Sequence, residues 1–201
     1  MIDTDISPAW RLFQARLRGG ESARKMGFSA KDGDVSRFLA RFRAANCYRG
    51  SQFESVASPT ANAYSALLGL FLAWSSFEQL ARVSGLADGE KLNWKSIDQL
   101  FAEHSSSLVS GSWQPVRPYY AVLAKLASGK LKATLSEAAT SGSEVTARQL
   151  VTALRNAFVH GQLTPNLGGA SPHRTTSACR VLTQHLLVIQ KRQFSSIVGV
   201  G

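Results

Sequence analysis

Cysteine is scarce in this chain. Cys47 and Cys179 are the only two in 201 residues, too few and too far apart for a disulfide framework or a zinc cluster. Long hydrophobic runs are missing as well. The longest clean one, Ala66 to Trp74, falls well short of the roughly 20 residues that span a bilayer. The first residues, Met1-Ile2-Asp3-Thr4-Asp5, are polar and acidic, so no signal peptide is expected and the chain reads as cytosolic, without a membrane partner. Nothing alternates apolar and polar residues for long enough to demand a strand, and Asp88-Gly89 sits between two helical patterns and reads as a loop. Gly168-Gly169 has neither a preceding strand nor a following Lys, which excludes a phosphate-cradling loop of the Walker type. His104 and His185 stand without Cys or carboxylate neighbours at ligand spacing, and no carboxylates are grouped to hold magnesium. Neither a metal nor a cofactor is therefore expected.

Carboxylates are the scarcest charge. The chain carries 23 Lys and Arg against 13 Asp and Glu, a formal net charge of +10. The excess is uneven: residues 1–50 hold ten basic against five acidic side chains, 51–112 three against six, and 113–201 ten against two. A basic surface of this kind concentrates polyanions, of which RNA and DNA are the ordinary ones. Simple solubility or an acidic protein partner would also account for the charge alone.

What is present is clear helix punctuation. Ser7-Pro8, Ser58-Pro59 and Ser171-Pro172 each precede an apolar-periodic stretch. Serine can accept a hydrogen bond from a first-turn amide, and proline at the first helical position lacks the N–H that would be orphaned anyway. Gly19-Gly20, Gly50, Gly85, Gly129 and Gly161 supply stops. The spacing predicts helices near 8–18, 34–49, 59–84, 94–109, 117–128, 143–160 and 172–195, hence an all-α, up-and-down bundle. Residues 1–50 read as an N-terminal helical arm, with 19–33 as a mobile basic connection, and 51–201 as the bundle. The helix at 59–84 carries Leu67, Leu68, Leu70, Phe71, Leu72, Trp74, Phe77 and Leu80 on more than one face, so its aromatic residues read as core.

The helix at 143–160 gathers the polar chemistry. Ser143 can cap it, Glu144 complements its positive end and Gly161 ends it. Ala147, Leu150, Val151, Leu154 and Phe158 form the stripe that should dock on the bundle. Asn156 and His160, four residues apart, share a face. Arg155 projects about 100° round from Asn156 but is long enough to reach toward His160. A guanidinium, an amide and an imidazole thus collect at one helix end, beside the loop Gln162-Leu163-Thr164-Pro165-Asn166.

Leu154-Arg155-Asn156-Ala157-Phe158-Val159-His160-Gly161, late in a long helix of an all-α chain, resembles the signature of HEPN domains, in which four to six residues separate an Arg from a His, commonly with a polar residue directly after the Arg. Leu163-Thr164-Pro165-Asn166 before a final helix, and Trp74-Ser75-Ser76-Phe77-Glu78-Gln79-Leu80 in an earlier one, resemble that superfamily too. The resemblance covers about 59–195. It implies a helical bundle of HEPN type that works as a homodimer, a metal-independent endoribonuclease of a toxin–antitoxin or defence system. Its partners would be RNA and an antitoxin or nucleotidyltransferase-like protein. RNA brings its own nucleophile, the 2′-hydroxyl. In this reading His160 moves the proton, Arg155 stabilises charge on the phosphorane and Asn156 orients the imidazole or the phosphate. Glu78, Thr164, Asn166, His173 and Arg174 are the candidates for contacting substrate or, for Glu78, Arg155.

Plainer readings stand beside these. Arg and His near a helix C-terminus complement the dipole, worth about 0.3–1 kcal/mol when exposed, and Asn156 can bond its own backbone. Glu78 reads equally as a solvated charge, and His173 and Arg174 as surface or capping residues. HEPN-like chains also serve as non-catalytic dimerisation, nucleotide-binding or partner-binding modules. A sequence-nonspecific DNA-binding role is weaker, because no helix-turn-helix pair is evident.

Overall fold

The computed structural model describes residues 4–89, 91–105, 120–141, 145–162, 164–165 and 171–200. The fold is all-α. Its elements in chain order are α1 (Ser7–Arg18), α2 (Asp32–Cys47), α3 (Ser58–Val83), β1 (Ala87–Asp88), β2 (Lys91–Leu92), α4 (Trp94–Ser105), α5 (Tyr120–Leu126), α6 (Gly129–Ser141), α7 (Ala147–Val159) and α8 (Pro172–Val198). None of the described helices is long and apolar enough to cross a membrane. The helices form two compact units, each drawn from non-adjacent parts of the chain. The first holds residues 1–47, 72–107 and 184–201, and the second holds 48–71 and 108–183.

In the first unit the ends of the chain share one core. Phe13 of α1, Phe28 of the following segment and Phe38 of α2 each pack on Phe194 of α8, with ring centroids 5.6–6.0 Å apart. Phe13, Phe38 and Phe194 are fully buried. A second aromatic group joins Trp74 and Phe77 of α3 to Trp94 and Phe101 of α4, and His185 of α8 lies against Phe101. Gln190 of α8, completely buried, donates its amide to the Ala73 carbonyl of α3 at 3.1 Å.

Residues 19–33, expected to be mobile, are instead anchored. Glu21 pairs with Arg16, Ala23 N–H donates to Asp32 Oδ1 at 2.7 Å, and Ser29 N–H donates to the Val83 carbonyl at 2.7 Å. Ala23, Met26 and Phe28 are buried. The polar composition of this stretch hides three inward residues among turn residues. Asp88-Gly89, expected as plain loop, belongs to a two-residue hairpin with Ala87 opposite Leu92 and Asp88 opposite Lys91. It is too short for alternation to show.

In the second unit, Ser65 of α3 locks the segment before it. It accepts from Ser51 N–H at 2.9 Å and donates back to the Ser51 carbonyl at 3.0 Å. Gly69 lets the Tyr48 ring approach, since a Cβ there would lie 3.3 Å from the ring. Helix α5 packs on α6 and α7. Helix α6 was missed by the periodicity, because Leu135 and Ala138 are its only buried residues. Gly129, read as a stop, begins it.

The starts of α1 and α7 differ from those the sequence predicts. Of the three Ser-Pro serines, Ser171 alone accepts a first-turn amide, from Arg174 N–H at 3.4 Å. Ser7 lies inside α1 and donates its own amide to Asp5 Oδ1 at 2.9 Å. Helix α7 begins at Ala147, not at 143. Its cap is Thr146, whose hydroxyl accepts Gln149 N–H while the Gln149 side chain accepts Thr146 N–H. That reciprocal capping box outcompetes the upstream start. Ser143 and Glu144 lie outside the described residues.

Candidate functional site

The polar end of α7 is built by a hydrophobic face and a helix stop. Ala147, Leu150, Val151, Ala153, Leu154 and Ala157 are buried. Phe158, expected in the buried stripe, is only half-buried, and Ala157 takes the inward place. This rotation leaves Arg155 and Asn156 half-buried at the edge of the docked face and His160 exposed.

Gly161, at φ +67°, closes the helix in a Schellman motif. Gln162 N–H donates to the Ala157 carbonyl at 2.8 Å and Gly161 N–H to the Phe158 carbonyl at 3.0 Å. His160 N–H donates to the Asn156 carbonyl at 3.0 Å. The carbonyls of Asn156, Ala157 and Phe158 are thus satisfied by main-chain amides, without side-chain caps from Arg155 or Asn156. They bond to each other, Arg155 Nη1 donating to Asn156 Oδ1 at 3.0 Å. The adjacent positions diverge around the helix, and the long arginine stem closes that gap. Asn156 therefore fixes one edge of the guanidinium rather than bonding its own backbone.

Beyond the stop the chain is tied to α8. Thr175 in the first turn of α8, completely buried, donates its hydroxyl to the Pro165 carbonyl at 3.1 Å. Thr164 is exposed immediately before that tether, and His173 and Arg174 are exposed in the same turn of α8 as Thr175. Asn166 lies outside the described residues. The sequence reading passed over Thr175. Its one signal was its position just inside the final helix, after a Pro-containing loop.

Glu78 lies in the other compact unit from Arg155, His160, His173 and Arg174. It is half-buried, and its Oε1 accepts the Trp74 indole N–H at 2.9 Å. Cys179 is fully buried, and burial pushes its thiol up to about 12, whereas Cys47 is exposed. A thiol held neutral in this way is not a nucleophile. Among the described residues, no three His, Cys, Asp or Glu side chains gather as ion ligands.

The site can therefore present one oriented guanidinium and one solvent-facing imidazole beside a short surface turn. Comparison with protein-family models, with curated proteins and with solved structures finds no match to this chain.

Proposed function

We propose that this protein is a HEPN-like, metal-independent endoribonuclease acting as a homodimer. The observation that carries the reading is the Arg155–Asn156 bond at the last turn of α7, one turn before exposed His160. A guanidinium held by an amide loses less side-chain entropy on binding a phosphate oxygen than a free one. An exposed imidazole is reachable by RNA, and imidazole is a side chain suited to general acid–base work.

In this mechanism the RNA 2′-oxygen attacks the adjacent phosphorus and gives up its proton to a base. The P–O5′ bond then breaks, and the leaving 5′-oxygen takes a proton. The products are a 2′,3′-cyclic phosphate and a 5′-hydroxyl, and no external oxidant or metal enters the balance. His160 serves one of the two proton transfers, and Arg155 carries the charge that builds on the phosphorane. One pair makes a sparse site, whereas a two-fold contact repeats every residue and doubles the cationic surface. Val159, 47% exposed beside His160, gives that end of α7 an apolar point for self-contact. The toxin–antitoxin setting follows from the same resemblance, with an antitoxin or nucleotidyltransferase-like chain as partner.

A second reading, a non-catalytic dimerisation or partner-binding module, is favoured by one feature. Among the described residues no hydrogen bond orients the His160 ring, whereas a catalytic imidazole is ordinarily held by a partner.

The decisive assay incubates single-stranded RNA with protein in the presence of chelator and identifies fragment ends. His160→Ala should reduce turnover by about 100-fold or more and leave binding nearly intact. Arg155→Ala should weaken both. Cleavage that survives in His160→Ala, or that chelator abolishes, overturns the mechanism. If the wild type cuts no RNA and scatters light as a monomer, the binding-module reading replaces it.

A further inference from the structure

The first unit carries a second feature that the α7 site does not use. In α2, exposed Arg43 places its guanidinium over the Trp10 indole of α1, 5.1 Å from the ring centroid. Trp10 in turn stacks on Phe13, with centroids 5.5 Å apart and planes 23° apart. Phe13 is fully buried and packs against Phe28 and Phe194. A run of ring contacts, edge-on in the core and stacked at Trp10, therefore leads outward and ends on an arginine at the surface. Thr4 Oγ1 donates to Asn46 Oδ1 at 2.8 Å, which ties the start of α1 to the end of α2 beside this stack.

The charge of the two helices is one-sided: α1 and α2 carry six arginines against two carboxylates. Arg11 and Arg18 are exposed on α1, Arg41 and Arg43 on α2. The nearby carboxylates are already engaged: Asp5 accepts Ser7 N–H, Asp32 accepts Ala23 N–H, Glu21 pairs with Arg16 and Asp34 with Arg37. Among the described residues none of them pairs with Arg11, Arg18, Arg41 or Arg43. Such a surface repels cations and calls for a polyanion.

We infer that the α1–α2 face binds single-stranded nucleic acid, with Arg43 as a preset plane on which an unpaired base stacks and with Arg11 contacting phosphate. Arginine planes and aromatic rings are the ordinary platforms for unstacked bases. Holding Arg43 on the indole removes rotamer freedom before the ligand arrives. A duplex keeps its base faces covered, so it offers the guanidinium phosphates and groove edges but no plane to stack on. An acidic membrane fits less well: the indole is already covered, and Leu12, at 36% exposure, is the one large apolar side chain of α1 or α2 that is exposed. The recognition chemistry, base plane plus phosphate, is common to RNA and single-stranded DNA.

The test uses the full-length chain in chelator with a His160→Ala background, so that no strand is cut. Fluorescence polarisation measures binding of labelled oligouridine, oligothymidine, a duplex of equal length and phosphatidylserine vesicles across a salt series. Both single strands should bind more tightly than duplex or vesicles. Arg43→Ala should weaken single-strand binding about tenfold. Arg43→Lys, which keeps the charge but not the plane, should weaken it nearly as much, with thermal melts confirming that each variant folds. Arg11→Ala should lower the slope of log K against log salt by about 0.7, one phosphate contact to a single strand. Wild-type affinity in Arg43→Lys, equal affinity for duplex, or binding to vesicles alone overturns the inference. Preferential binding to one sugar over the other would retain the site and name its source. If the pattern holds but the wild-type chain cuts nothing, this surface stands and the nuclease reading falls. Cleavage with Arg43-independent binding gives the reverse.

Discussion

Phe194→Ala tests whether the two ends of the chain are joined in one core. Phe194 is completely buried and meets Phe13 at 6.0 Å, Phe28 at 5.6 Å and Phe38 at 5.6 Å. These three rings come from α1, the segment after it and α2. Truncating a buried Phe to Ala costs about 3–5 kcal/mol, the transfer term plus the cavity left behind. Three aromatic pairs, each worth about 0.5–1.5 kcal/mol beyond area, push the value toward the upper end without adding fully, because they share one ring. Alanine's better helix propensity returns about 0.5 kcal/mol. The net expectation is a loss of about 3.5–4.5 kcal/mol. With a urea dependence of about 2 kcal/mol per molar, the midpoint falls by roughly 2 M. Far-ultraviolet circular dichroism through a urea titration of the full chain reads this directly. Should the two units unfold in separate steps, only the step that includes the first unit should move. Leu12→Ala, on the exposed side of α1, should change stability by about 0.5 kcal/mol or less. A loss below about 1 kcal/mol for Phe194→Ala would mean that α1 and α2 do not share a core with the end of α8.

Two further outcomes follow from local features. Thr146→Ala removes the hydroxyl half of the capping box at the start of α7 and should cost about 1 kcal/mol in thermal or urea unfolding. Thr146→Ser should recover most of it, and an Ala variant as stable as wild type would mean the box contributes nothing. Cys47 is exposed and Cys179 is buried with its thiol pushed up to about 12, so iodoacetamide at mildly alkaline pH should modify one thiol per native chain and two after denaturation. Mass spectrometry finding native Cys179 labelled as fast as Cys47 would contradict the packing around α8.

The bond between Arg155 and Asn156 narrows the chemistry of the α7 end. Had Arg155 merely complemented the helix dipole, its donors would be expected on the last carbonyls. The carbonyls of Asn156, Ala157 and Phe158 are already taken by the amides of His160, Gln162 and Gly161. The two side chains bond to each other, and His160 is left at the surface. That arrangement is compatible with phosphate chemistry in the dimer and with simple recognition in the module. The kinetic assay separates them because proton transfer acts only along the reaction path.

What the residues determined by themselves was local. Apolar spacing near 3.6 residues placed most helices, since each helix must bury one stripe. Gly161 marked the end of α7, because only a left-handed cap closes a Schellman motif cheaply. The clustering of Arg155, Asn156 and His160 at that end followed from helical geometry alone. What tertiary structure decided was everything that depends on partners distant in the chain. Helix α6 has two buried residues, and such a weak stripe becomes readable only once α5 lies against it. The stretch 19–33 looked polar and mobile, yet Ala23, Met26 and Phe28 are buried in the first unit, where Phe28 packs on Phe194. Composition cannot reveal a ring supplied from the far end of the sequence. The division of α3 and α8 between two compact units is likewise invisible in their periodicity, because a helix keeps the same repeat whichever core it enters. The Arg43–Trp10 stack belongs to the same class. Neither residue signals the other in sequence, and only the packing of α1 on α2 brings the cation onto the ring.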